Sequence, residues 1–168
     1  NASKLVDQLT NEETRASEFE EVDRWMIGKA DRIVEEVTEY FEDHEFSKAR
    51  DKLRSFFWNS YCDDYLEICK QRLENDNESA EEALRMTHAK ILKMFAPFTP
   101  HITEEIWQEM HSNDSIHRSE WPRPEGVKSD EEKGDQAMKV ISSIRKFKSQ
   151  NQMALNDEIE KVEVFGDI

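Results

Sequence analysis

Four glycines and four prolines among 168 residues leave little material for tight turns, and a many-stranded sheet usually needs more. The same scarcity excludes a phosphate-cradling glycine loop, because Gly28, Gly126, Gly134 and Gly166 stand apart from one another. No run approaches the ~18 apolar residues of a membrane span, and the start shows no basic, apolar, then small-residue signal. Only Cys62 and Cys69 are present, and two residues seven apart on one helix face are about 10 Å apart by rise alone, too far for a disulfide. Buried thiols in a soluble, cytoplasmic chain are therefore expected. None of the five histidines has Glu three residues before it; those positions hold Phe41, Arg85, Phe98, Gln108 and Asp114. A two-metal bundle site needs that spacing, so no metal site is expected. His101 lies near Glu104 and Glu105 but lacks a second histidine, so it reads as a polar contact at a helix start. No local pattern supports a Ser or Cys nucleophile, and no catalytic residue is assigned.

Cations are also in the minority, 23 Lys and Arg against 38 Asp and Glu, for a net charge of −15. An acidic chain argues against nucleic acid, whose phosphates are met by Lys and Arg, and fits a solubility or high-salt role for its surface. The distribution modifies that conclusion. Residues 136–156 hold four bases (Lys139, Arg145, Lys146, Lys148) and no acid, so the other 147 residues carry −19. A basic helix end gives the same composition, through cations that complement the dipole.

What is abundant is helical periodicity, on a chain of one-domain length that can bury roughly 70% of the surface it exposes unfolded. Apolar residues at Leu5, Val6 and Leu9 suggest two turns of helix, and residues 10–21 read as an acidic linker. Val22, Met26, Ala30, Ile33 and Val37 predict a helix over 21–42. After a turn at His44-Glu45, the spacing Phe46, Ala49, Leu53, Phe56/Phe57, Tyr61, Tyr65, Cys69 predicts one long helix ending near Leu73. Phe57 or Trp58 must leave its buried stripe, since neighbours on a helix diverge by about 100°. Packing between helices is the plain expectation for these aromatics.

Asn75 to Ser79 reads as a capped turn before a third helix marked by Ala80, Leu84, Thr87/His88, Ile91 and Phe95. Pro97 should end it by disfavouring the α region at Ala96. Thr99 is placed to N-cap the next helix, with Pro100 as its first residue and Ile102, Ile106 and Met110 as a buried stripe widened by Trp107. Residues 112–130 form a long loop that Trp121 should pin to the bundle. Ala137, Val140/Ile141, Ile144 and Phe147 predict a last helix, and the alternation over 159–165 a short strand. An all-α fold follows, divided as a bundle over 1–150, with a leading helix and linker over 1–20, and a C-terminal extension over 151–168.

Several segments together resemble a known family. Asp23-Arg24-Trp25-Met26-Ile27, Phe56-Phe57-Trp58-Asn59-Ser60-Tyr61-Cys62-Asp63-Asp64-Tyr65-Leu66-Glu67 and the corner from Pro97 to Trp107 are similar to helix motifs of the anticodon-binding domain of class I aminoacyl-tRNA synthetases of the valine, isoleucine and leucine group. Ser115-Ile116-His117 with Trp121-Pro122 is closest to the valine enzymes, and Asn1-Ala2-Ser3-Lys4-Leu5 resembles the family's opening segment. The resemblance covers nearly the whole chain.

It implies an antiparallel helix bundle that docks on a tRNA anticodon stem and loop, with tRNA(Val) and the same enzyme's catalytic domain as partners. ATP and Mg would belong to that catalytic domain, whose His-(Ile/Val)-Gly-His and Lys-Met-Ser-Lys-Ser motifs are not in this sequence. No aminoacylation by this chain alone is expected. Trp25, Trp58, Tyr65, Pro97, Pro100 and Trp107 would be structural.

The RNA-contact candidates come instead from chemistry: Lys139, Arg145, Lys146 and Lys148 on the last helix, and Arg50 and Arg54, four apart on the long one. For Arg50 and Arg54 a salt-bridged surface is the competing account, given Asp43 and Asp51. Gln150, Asn151, Gln152 and Asn156 are amides able to read base edges. An isoleucine- or leucine-type domain, a helical module for a basic protein partner, and an enzyme built in the bundle core are the alternatives.

Overall fold

The computed structural model describes residues 18–110, 114–154 and 157–163. The expected leading helix and most of the acidic linker lie outside them. The chain falls into two compact units, Asn1–Ser129 and Asp130–Ile168.

In the first unit α1 (Glu21–Glu42) runs as its periodicity predicts, burying Met26, Ala30, Ile33, Val34 and Val37 along one side. His44, in the left-handed region at φ 59°, reverses the chain, and the Glu45 N–H closes the turn on the Tyr40 carbonyl. The long second helix is continuous from α2 (Phe46–Ser55) through a π-helical stretch (Phe56–Tyr65) to α3 (Leu66–Glu74). The reason is legible in its buried residues. Ala49, Leu53 and Phe56 follow α spacing, but the next one inward is Tyr61, five residues on. Bonding of i to i+5 puts residues five apart on one side, so the π turns keep Phe56 and Tyr61 both inside.

Asp76 at φ 54° ends α3, and the Asn77 side chain accepts the Ala80 N–H at 2.8 Å to cap α4 (Glu78–Phe95). The α4 helix stops at Phe95 as expected, but Ala96 keeps α geometry at φ −52° and ψ −40°. The break comes at Pro97, which has no N–H to continue the ladder. Thr99 is not the hydroxyl cap that was expected. Its Oγ1 donates back to the Phe95 carbonyl at 3.3 Å, and its carbonyl receives the Thr103 N–H and hydroxyl at the start of α5 (Pro100–Met110).

The loop after α5 is held at three points. Glu104 accepts from Ser115 Oγ and the Ile116 N–H, and Ile116 packs with Leu92, Ala96, Ile106 and Trp107. Trp121 Nε1 donates to Thr38 Oγ1 at 2.8 Å while its ring meets Phe41 at 5.3 Å, so the indole pins the loop as predicted. Buried Asp31 then accepts the Glu125 and Gly126 N–H groups and pairs with buried Lys90. At Gly28 the loop comes so close that a Cβ would lie 2.1 Å from Ser129 Oγ.

The second unit is α6 (Glu131–Gln150), capped by Asp130 on the Lys133 N–H, and the chain after it. Only Met138 of α6 is buried; Val140, Ile141 and Ile144 are half-buried, and Ala137 and Phe147 are exposed. Lys148 Nζ donates to the Asp157 carbonyl at 2.6 Å, and 159–163 lies along a groove of about 460 Å³ on α6. No strand forms among the described residues of 157–163, where the alternation predicts one; residues 164–165 lie outside them. A β-strand needs a neighbour for its ladder, and no second strand is described.

Candidate nucleic-acid interface

One buried carboxylate organises the first unit. Asp23, fully enclosed, accepts the Tyr65 hydroxyl at 2.7 Å, the two Nη groups of Arg72 at 2.7 and 2.6 Å, and the Ser79 hydroxyl. Its lone pairs thereby join α1 to the end of the π stretch, to α3 and to α4, and a bidentate guanidinium compensates the buried charge. Burial also pushes the Tyr65 phenol and the Cys69 thiol beside it upward, the thiol to about 12. Cys62 is only half-buried but is likewise raised, to about 11, by desolvation and then by Asp63. Neither cysteine is a nucleophile at neutral pH. They do not share one environment as α spacing suggested, because Cys69 sits by this network and Cys62 lines a surface groove.

That groove, of about 650 Å³, lies between the π stretch, α4 and α5. Phe57, Phe95 and Ile106 wall it, and Arg54, Lys70 and Glu67 also line it, Lys70 being paired with Glu67. Trp58, expected to hold helices together, is instead 56% exposed, and Ile102, expected in a buried stripe, is 52% exposed; both line the groove. The indole is nevertheless placed. Phe57 sits between Trp58 at 5.3 Å and Phe95 at 5.6 Å, and also stacks at 6.0 Å on Tyr61, whose hydroxyl pairs with His88 Nδ1 at 2.8 Å. Exposing an indole forfeits a large apolar burial, and a braced, exposed Trp in a groove that a guanidinium also lines has the geometry to accept a planar partner by stacking. Unpaired RNA bases are such partners.

The predicted contact residues divide. Arg54 lines the groove, whereas Arg50 is bound to Asp51 on the surface through Nε at 3.1 Å and Nη2 at 3.0 Å. On α6 the four cations do not form one stripe. Lys139 and Lys146, seven apart, share a side, Lys148 falls on the opposite one, and Arg145 lies between, about 100° from Lys146. Lys148 helps to order the chain after the helix, and Asn151 Nδ2 caps the Phe147 carbonyl at 2.8 Å. Asn156 lies outside the described residues. The sequence did carry a sign of Trp58, since three consecutive aromatics on a helix cannot all turn inward.

Residues 23–164 match the family of the anticodon-binding domain of tRNA ligases. The chain belongs to this family. It is 51% identical, over its whole length, to the valine–tRNA ligase of Haloarcula marismortui. It is 34% identical over all of its length to that of Wolbachia pipientis, and 36% identical over 87% to that of Methanothermobacter thermautotrophicus. The chain spans about a fifth of each of these relatives, namely 19%, 21% and 17%. As an anticodon-binding domain it begins its match at Asp23, the residue that joins its helices.

Proposed function

We propose that this chain is the anticodon-docking part of a valine–tRNA ligase, and that the groove at Trp58 receives an unstacked base of the tRNA(Val) anticodon loop. The observation that carries this reading is the exposed, braced indole beside Arg54 in a domain of this family. Stacking supplies contact area for any base, and the guanidinium adds phosphate or base-edge contact, so the groove anchors the loop while hydrogen bonds around it discriminate. The valine assignment is supported by the names of the relatives. The joining of valine to tRNA with ATP and Mg would take place in the cytoplasm, on a catalytic domain outside this chain. Lys139, Arg145, Lys146 and Lys148 add phosphate contacts that strengthen binding without reading sequence.

The test compares the chain's affinity for a valine tRNA transcript, the same transcript with its middle anticodon base changed, and an unrelated tRNA, over a potassium chloride series. A preference for the intact anticodon, with Trp58→Ala weakening the binding of both valine transcripts, is the expected result. Equal or absent binding to all three would refute autonomous recognition and leave a helical docking scaffold.

A further inference from the structure

Among the described residues of the first unit, three large apolar side chains are exposed: Phe46, Trp58 and Ile102. Trp58 and Ile102 line the groove; Phe46, 48% exposed at the start of α2, does not. It is nevertheless held as Trp58 is held. The Phe46 ring meets Phe41 at 5.4 Å and 67°, and the Trp58 ring meets Phe57 at 5.3 Å and 68°, both edge-to-face. Phe41 is fixed in turn by Trp121 at 5.3 Å and Phe98 at 5.5 Å, and the His44 ring lies 6.0 Å from Phe46.

One continuous helix carries both rings. Phe46, Arg50, Arg54 and Trp58 follow at four-residue steps, and all four are exposed. At 3.6 residues per α turn, each such step overshoots by about 40°. The π turns that begin at Phe56 are wider, so the last step loses part of that drift and Trp58 comes back toward the line of the other three. By rise the two positions are about 18 Å apart. Stacked nucleotides advance about 3.4 Å each, so about five of them, and fewer when unstacked, cover that distance.

We propose that Phe46 is a second stacking platform, which takes another unpaired base of the same RNA loop whose first base lies against Trp58. This rests on the function proposed above. The contact needs no available cation: Arg50 is bound to Asp51, Lys48 is paired with Glu45, and the neighbouring Glu42 and Asp43 are exposed. A ring accepts the uncharged face of any base, whereas these carboxylates repel phosphates.

The test uses the 168-residue chain and a stem-loop RNA carrying a valine anticodon, with 2-aminopurine placed at one loop position at a time. Phe46→Leu keeps an apolar side chain and removes the ring. It should weaken the RNA about tenfold and leave the slope of log affinity on log salt unchanged. Phe46→Trp should retain native affinity. Combined with Trp58→Ala, the Phe46→Leu loss should multiply, because the two rings hold different bases. On the native chain, fluorescence should change at two separated loop positions, and Phe46→Leu should abolish the change at one of them.

Native affinity in Phe46→Leu, or a fluorescence change at a single loop position, would overturn the second platform and leave the groove standing alone. An equal loss in Phe46→Trp, or a salt slope lowered by Phe46→Leu, would overturn it as well. If Phe46→Leu loses the native near-ultraviolet circular dichroism, the fluorescence pattern on the native chain decides. A native chain that binds no stem-loop would overturn this proposal together with the docking function, whereas an RNA weakened by Trp58→Ala and indifferent to Phe46→Leu refutes the second platform only.

Discussion

The two units place their cations by different means. In the first, Arg54 stands at a groove whose walls are braced through Phe57, Tyr61 and His88, and the helices carrying it are joined by a fully enclosed Asp23. In the second, Lys139, Arg145, Lys146 and Lys148 ride a helix with one buried side chain, Met138. A contact can select among bases only if its geometry is set beforehand, whereas charge neutralisation needs only proximity. Under the function proposed above, this difference would give base discrimination to the first unit and sequence-independent phosphate contact to the second, although it is the second that holds the acid-free segment 136–156.

The comparison would break most sharply at Asp23. Asp23→Ala leaves the partly buried Arg72 without its bidentate partner, and should cost about 3–5 kcal/mol in denaturant unfolding. A loss under about 1 kcal/mol would show that the network is not what joins these helices.

Gly28→Ala comes next. Its Cβ would meet Ser129 Oγ at 2.1 Å, so a loss of about 1–3 kcal/mol is expected, relieved in the double variant with Ser129→Gly. Additive effects of the two substitutions would contradict the close approach.

A smaller effect concerns alkaline pH. Burial raises Cys62 from 9.0 to about 11 and Cys69 from 9.0 to about 12, and raises Tyr61 and Tyr65 as well. The folded state thus holds these protons more tightly than the unfolded one. The stability they contribute is fully present below about pH 9 and is lost as pH rises through the folded values. Melting temperature should fall across that window, and less steeply in Cys62→Ser/Cys69→Ser; identical slopes would assign the loss to the tyrosines alone.

The smallest change in stability is expected at Trp58. Because the indole is exposed, Trp58→Ala should alter unfolding by no more than about 0.5 kcal/mol while weakening a loop RNA by about 1–3 kcal/mol. Large destabilisation with unaltered RNA affinity would return Trp58 to the structural role its motif suggested.

Much of this architecture is legible residue by residue. The period of Met26, Ala30, Ile33 and Val37 specifies α1, because a side chain every 3.6 residues meets the core whatever the neighbour is. Asn77 and Asp130 mark helix starts through their own side chains, and Pro97 marks a stop through its missing N–H. These are local effects and need no tertiary partner. Trp121 was also legible, since its indole cannot be left in water without loss.

The candidate site was less legible. Arg54 and Arg50 are the same residue type on one helix, yet Arg54 lines the groove and Arg50 binds its neighbour Asp51. Ile102 and Met110 belong to one sequence stripe, and only Met110 is covered. The alternation at 159–165 scores as strand, but pairing needs a neighbour that propensity does not supply.

By itself, then, the sequence determined the helices, their stops, caps such as that before Glu78, and the family, because hydrophobic period, missing donors and motif spacing act within a few residues of each other. Tertiary structure decided which of those residues face outward. Phe56 and Tyr61 could both be buried only by winding the helix through π turns, and that winding sets Trp58 in the groove. The choice depended on what α1, α4 and α5 present to that helix, a long-range packing condition that no window of sequence contains.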